Sequence, residues 1–195
     1  MRIGIVAFGD YCDMESSTKF GRAYQCLPLT NNEKEIINFI NGAQNTGGGD
    51  GDEFYELVIK KITEETNWRE DAVKSVLLIA DAEPHRVGYS YGSIVHNAQI
   101  DWREEAIKAA GLGISFDTLS IHGYKWYEEL SQITDGIYAP FSSSNKTSQL
   151  VEVAAYSRGG DMTKQVFFDA MASANASGDT EMINTYAAYS KKVVL

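Results

Sequence analysis

The chain has 195 residues and carries 27 acidic against 17 basic side chains, a formal charge of −10. Apolar residues at 44% and charged residues at 23% fit an ordinary globular chain rather than a disordered one, long enough to bury a sizeable core. The acidic balance leaves no basic footprint for phosphate backbones, which argues against a nucleic acid partner and for a cation or a basic protein surface.

Cys12 and Cys26 form no Cys-x-x-Cys ligand pair and no disulfide framework. They are most simply reduced thiols, although they flank a predicted hairpin across which a disulfide stays open in an oxidising compartment. No apolar run approaches the roughly 20 residues that span a bilayer. The opening Met-Arg-Ile-Gly-Ile-Val-Ala-Phe-Gly-Asp10 meets an acid too soon for a secretory signal, which predicts an intracellular, cytoplasmic protein.

Residues 2–9 are nearly continuous in Ile3, Ile5, Val6, Ala7 and Phe8 and predict a buried strand. A polar connection over 10–19 leads to an edge strand at 22–29, since Pro28 has no N–H to give a central ladder. Thr30, Asn31 or Asn32 caps a helix from about 33 to 43, with Ile36, Ile37, Phe39 and Ile40 on its apolar side. Asn45 to Asp52 breaks it. A second helix follows over about 53–65, where Phe54, Leu57, Val58, Lys61 and Ile62 fall at helical spacing.

Val76 to Ala80 lacks polar alternation, as a parallel strand buried on both faces does, and belongs at or near the middle of a sheet. Asp81 falls at its carboxyl end, where open α/β sheets hold ligands. The plainer reading makes Asp81 the start of a turn before Pro84. A long loop rich in Gly, Ser, Tyr and Asn runs to Gln99, and Asp101 or a neighbour caps a helix through Ala110. A strand at 114–121, a helix at 126–133, a strand at 136–141 and a helix at 147–158 follow. Two more helices occupy 163–190, broken near Ser177-Gly178. The alternation predicts a doubly wound α/β fold with a mostly parallel sheet, one antiparallel edge strand and helices on both faces. The division is a domain over 1–160 and a helical C-terminal extension over 161–195.

Two constellations bear on chemistry. The loop Thr46-Gly-Gly-Gly-Asp-Gly-Asp-Glu53 opens a helix, but it lacks the phosphate-loop pattern and does not follow the first strand. Asp50, Asp52 and Glu53 repel phosphate, and carboxylates on tight glycine backbone suit a hard cation. The alternative is a flexible acidic turn serving the helix dipole. His85, His96 and His122 stand at no metal-ligand spacing. A Ser-His-Asp trio can be drawn from Ser142 to Ser144, His85 and Asp81, yet the sequence has no Gly-x-Ser-x-Gly elbow.

Taken in order, Arg2-Ile-Gly-Ile-Val-Ala-Phe-Gly-Asp-Tyr11, the Thr46-Gly-Gly-Gly-Asp50 loop with Glu53, and Leu77-Leu-Ile-Ala-Asp-Ala-Glu-Pro-His85 resemble a von Willebrand factor A domain. The branch is the one with a Gly-Gly-Gly-Asp loop, linked to α-kinases and hemicentin-type proteins, and the likeness covers about residues 1–160. It implies a Rossmann-like sheet with a metal-ion-dependent adhesion site at its carboxyl edge, holding Mg²⁺ or Mn²⁺. A protein partner there supplies an acidic side chain to the ion. By this resemblance Asp81 is a metal ligand, and the family's threonine falls at Gly49, so that Asp50, or less directly Thr46, stands in for it. Glu83, Glu53 and His85 border the partner surface. The family's first strand, with its Asp-x-Ser-x-Ser loop, has no counterpart in the sequence.

The resulting expectation is a non-enzymatic protein-interaction module with a partial metal site. Two alternatives stand beside it: a metal-independent structural or assembly module, favoured by the absent loop, and a small metal-dependent α/β hydrolase using Asp81, Asp50 and His85.

Overall fold

A computed structural model describes residues 1–14, 23–91, 94–95, 100–140 and 146–193. His96, Ser142 to Ser144 and residues 15–19 of the 10–19 connection lie outside the described residues. In chain order the elements are β1 (Ile3–Phe8), a 3-10 turn (Tyr11–Met14), β2 (Tyr24–Thr30), α1 (Glu33–Gly42), β3 (Asp52–Glu53) and α2 (Tyr55–Glu65). Then come β4 (Lys74–Ala80), β5 (Glu83–Pro84), β6 (Ser90–Tyr91), β7 (Ile94–Val95), α3 (Trp102–Gly111) and β8 (Ile114–Ser120). The last are α4 (Lys125–Ile133), β9 (Tyr138–Pro140), α5 (Thr147–Arg158), α6 (Asp161–Ser177) and α7 (Thr180–Ser190). The fold is α/β and Rossmann-like: β3–β5, β4–β8 and β8–β9 pair in parallel, while antiparallel pairing belongs to β1–β2 and β6–β7. The chain divides into two compact units, Met1–Ala72 with Ala82–Leu112, and Val73–Asp81 with Gly113–Leu195.

In the first unit, β1 and β2 form the predicted hairpin, with Val6 opposite Cys26 and Phe8 opposite Tyr24. Ile5 faces Leu27 but Ile3 faces Thr30, so β2 carries an extra residue around Pro28, and the proline's missing N–H falls where the ladder is interrupted. β1 is half-buried, with Ile3 exposed, because a two-stranded ribbon covers it less than the sheet position its apolar run suggests. Asn32 is the cap chosen from three candidates: its side chain accepts from the Lys34 amide at 3.1 Å, and Glu35 accepts from Thr30 Oγ1 at 2.8 Å. In α2 the buried face runs through Tyr55, Val58, Ile59 and Thr63, with Phe54 just ahead of it. Phe8 meets Tyr55 edge-on at 5.1 Å, and α3 packs against α2.

The second unit is a three-stranded parallel sheet in the order β4, β8, β9. Its middle strand is β8, whereas β4, expected at or near the middle, lies at one side and is mostly half-buried. The sequence of β8 conceals this, because Asp117, Thr118 and Ser120 are polar yet buried. Each has partners: Asp117 Oδ1 accepts from Arg158 Nη2 and from the Ile137 amide, both at 2.9 Å, Thr118 Oγ1 donates to the Tyr127 carbonyl at 2.9 Å, and Ser120 Oγ accepts from the Gly123 amide at 3.0 Å. Leu119, Ile137 and Ala139 of the sheet side form a core with Leu150 and Val153 of α5, Phe167 of α6 and Tyr186 and Tyr189 of α7. The two C-terminal helices break at Gly178, as Ser177-Gly178 predicts, and Asp179 caps α7 by accepting from the Met182 amide. Among the described residues, no helix is long and apolar enough to cross a membrane.

Candidate metal centre

The site is built at the end of β1, in the first unit. Gly9 permits the approach of the glycine loop: a Cβ there would stand 2.2 Å from Thr46 Oγ1, so only a residue without one lets Thr46 pack on this backbone. Four residues later, the carboxylate of Asp13 accepts from the Gly47 amide at 3.1 Å and the Gly48 amide at 3.2 Å. The Phe54 amide bonds the Gly9 carbonyl at 3.4 Å, closing the loop onto the same turn.

Asp50 stands on that loop, exposed, with both oxygens engaged. Its Oδ1 accepts from the Asp52 amide at 3.0 Å and its Oδ2 from the Tyr89 hydroxyl at 2.8 Å. The next residues, Asp52 and Glu53 of β3, pair in parallel with Glu83 and Pro84 of β5. That short pairing carries the following residue, His85, into the interior beside Asp10.

His85 is 3% exposed and Asp10 is fully buried. His85 Nε2 lies 2.5 Å from Asp10 Oδ1. The Tyr89 ring stacks on the imidazole at 3.6 Å and 18°, and the Tyr11 ring stands 5.5 Å away. The His85 amide donates to Glu56 Oε2 at 3.2 Å.

The electrostatics follow from this enclosure. Burial works to raise the Asp10 carboxyl, but the bond from His85, with the Cys12 thiol and the Tyr11 amide, more than offsets it and holds the group below its ordinary value. Burial works to lower His85, and its bond to Asp10 with the charges of Asp10, Glu56 and Asp50 outweighs that and raises it. Burial pushes Glu56 up to about 7 and, together with the neighbouring carboxylates, Cys12 up to about 12. Both cysteines are free, Cys12 buried and Cys26 exposed.

Asp10, Asp50 and His85 each offer a ligand atom, all within 4.8 Å of one another, and together they can hold a metal ion. Asp10 Oδ2 and His85 Nδ1 are buried with no hydrogen-bond partner among the described residues.

Of the residues singled out in the sequence, Asp50 and His85 come together here. Thr46 packs on Gly9, next to Asp10, while Glu53 and Glu83 belong to the β3–β5 pairing, Glu83 exposed. Asp81 is exposed at the end of β4, in the second unit, and is outside the cluster. Asp10 is the residue that sequence reasoning missed. The signal was available, because Asp10 follows the apolar run of β1 much as Asp81 follows that of β4. No protein-family model matches the chain, and no curated protein matches it.

Proposed function

We propose that the protein is a cation-dependent protein-interaction module of the von Willebrand factor A type, with Asp10, Asp50 and His85 as the residues that hold the ion. The observation that carries this reading is the convergence of the three ligand atoms within 4.8 Å, at the end of a strand and against the glycine loop. The unpartnered Asp10 Oδ2 and His85 Nδ1 support it, since buried donors and acceptors without partners are costly unless something fills them. Two carboxylates with an imidazole favour Mn²⁺ over Mg²⁺, which prefers oxygen ligands throughout. The bound ion supplies positive charge to recruit an acidic side chain of a partner protein. Asp50, the exposed member, marks the side from which that side chain approaches.

A second reading, a metal-independent assembly module, is favoured by the 2.5 Å contact of His85 with Asp10, which already pairs charge within the cluster. Thermal unfolding in EDTA and in millimolar Mn²⁺ separates the two. The first reading requires a higher melting temperature with Mn²⁺, lost in Asp50→Ala, and binding of an acidic peptide that needs the ion. An unchanged melting temperature supports the second.

A further inference from the structure

The glycine loop is held by a residue that is not among the three ligands. Asp13 is 5% exposed, and its two oxygens each take one of two consecutive amides, Gly47 and Gly48. Consecutive amides converge on one anion when the backbone turns through the left-handed region, and Gly48 does so with φ +60°. The loop's own nest is thus filled by a carboxylate of the same chain. Asp13 sits on the 3-10 turn that directly follows Asp10. One turn therefore adjoins a ligand and bears the clamp of the loop that presents another ligand.

We propose that Asp13 is the positioning residue of the metal centre: by filling the amide nest it fixes the glycine loop to the Asp10 turn and sets where Asp50 stands. This rests on Asp10, Asp50 and His85 holding the ion. Asp50 needs such a hold because it is exposed and its own bonds are from the Asp52 amide within the loop and from the Tyr89 hydroxyl. A carboxylate bonding two amides is charge-assisted and little screened when buried, so it holds the loop more firmly than neutral contacts do.

The test uses the full chain and Mn²⁺, with free ion followed by electron paramagnetic resonance. Asp13→Asn keeps one acceptor oxygen, and Gly48→Ala strains the nest from the loop side while leaving Asp13 intact. In both, Mn²⁺ affinity should fall about tenfold, the effect of losing one charge-assisted hydrogen bond, with the metal-free melting temperature of at least one of them near the wild-type value. The Gly47 and Gly48 amides should exchange hydrogen faster in Asp13→Asn. Wild-type Mn²⁺ affinity in a folded Asp13→Asn overturns the inference and leaves the metal reading standing. Failure of the wild type to bind Mn²⁺ overturns the metal reading instead. Slow exchange of both amides in Asp13→Asn overturns the clamp in either case.

Discussion

His85 Nε2 and Asp10 Oδ1 stand 2.5 Å apart, and both side chains are buried. Their pairing joins the end of β1 to the segment after β5, two stretches 75 residues apart in sequence. Removing one member of a buried pair leaves the other charge unpaired in the interior, at a cost of about 3–5 kcal/mol. His85→Ala should therefore lower the unfolding free energy by that order in urea denaturation without metal. A loss below about 1 kcal/mol would be what an exposed pair gives, and would mean that the contact holds no charge in the folded state.

The pH dependence has a definite sign. Asp10 titrates below its ordinary value, so its contribution is present above the usual carboxylate range and lost as pH falls through the depressed value. His85 is raised above 6.5, so its contribution is complete below that pH and lost as pH rises through the raised value. Glu56, raised from 4.5 to about 7, likewise contributes below 4.5 and loses that contribution as pH rises through about 7. Stability should thus decline across neutrality toward alkaline pH and decline again in strong acid. Glu56→Gln keeps an oxygen for the His85 amide but cannot titrate, and should flatten the decline between pH 4.5 and about 7. Equal slopes for wild type and variant in urea midpoints against pH would contradict the assignment.

The second unit offers an independent case. Asp117 is fully buried in β8, and Arg158 at the end of α5 donates to it at 2.9 Å. Asp117→Ala would leave both Arg158 and the Ile137 amide without their acceptor, for a loss of about 3 kcal/mol or more. Arg158→Met keeps the apolar stem but strands the fully buried Asp117 without its cation, and should cost a similar amount. The double variant should then show coupling of about 0.5–3 kcal/mol in a double-mutant cycle. Strict additivity would show that the two side chains do not interact.

What was legible in the sequence was local. A cap within Thr30 to Asn32, the break at Ser177-Gly178 and the hairpin placement of the Pro28 strand follow from backbone rules that act within a few residues, whereas the choice of Asn32 and the bulge in that strand appear only in the structure. The middle position of β8 was not legible, because its buried polar residues look like surface until Arg158, Ile137 and Tyr127 are known to satisfy them. The same blindness hid the grouping of Asp10, Asp50 and His85. End-of-strand position marked Asp10 no less than Asp81, but only the β3–β5 pairing brings His85 to it, and a two-residue strand leaves no periodic signature. The resemblance places His85 at a partner-facing rim, and its neighbours Glu83 and Pro84 give no sign that its ring is enclosed by Tyr89 and Tyr11.

The most direct test of the account is where a paramagnetic ion goes. An amide spectrum of the full chain, titrated with substoichiometric Mn²⁺, should lose the signals of Asp10, Asp50 and His85 first, and Asp50→Ala should abolish the selective loss. Sharp signals for these three residues while others broaden, or the same pattern in Asp50→Ala, would contradict it.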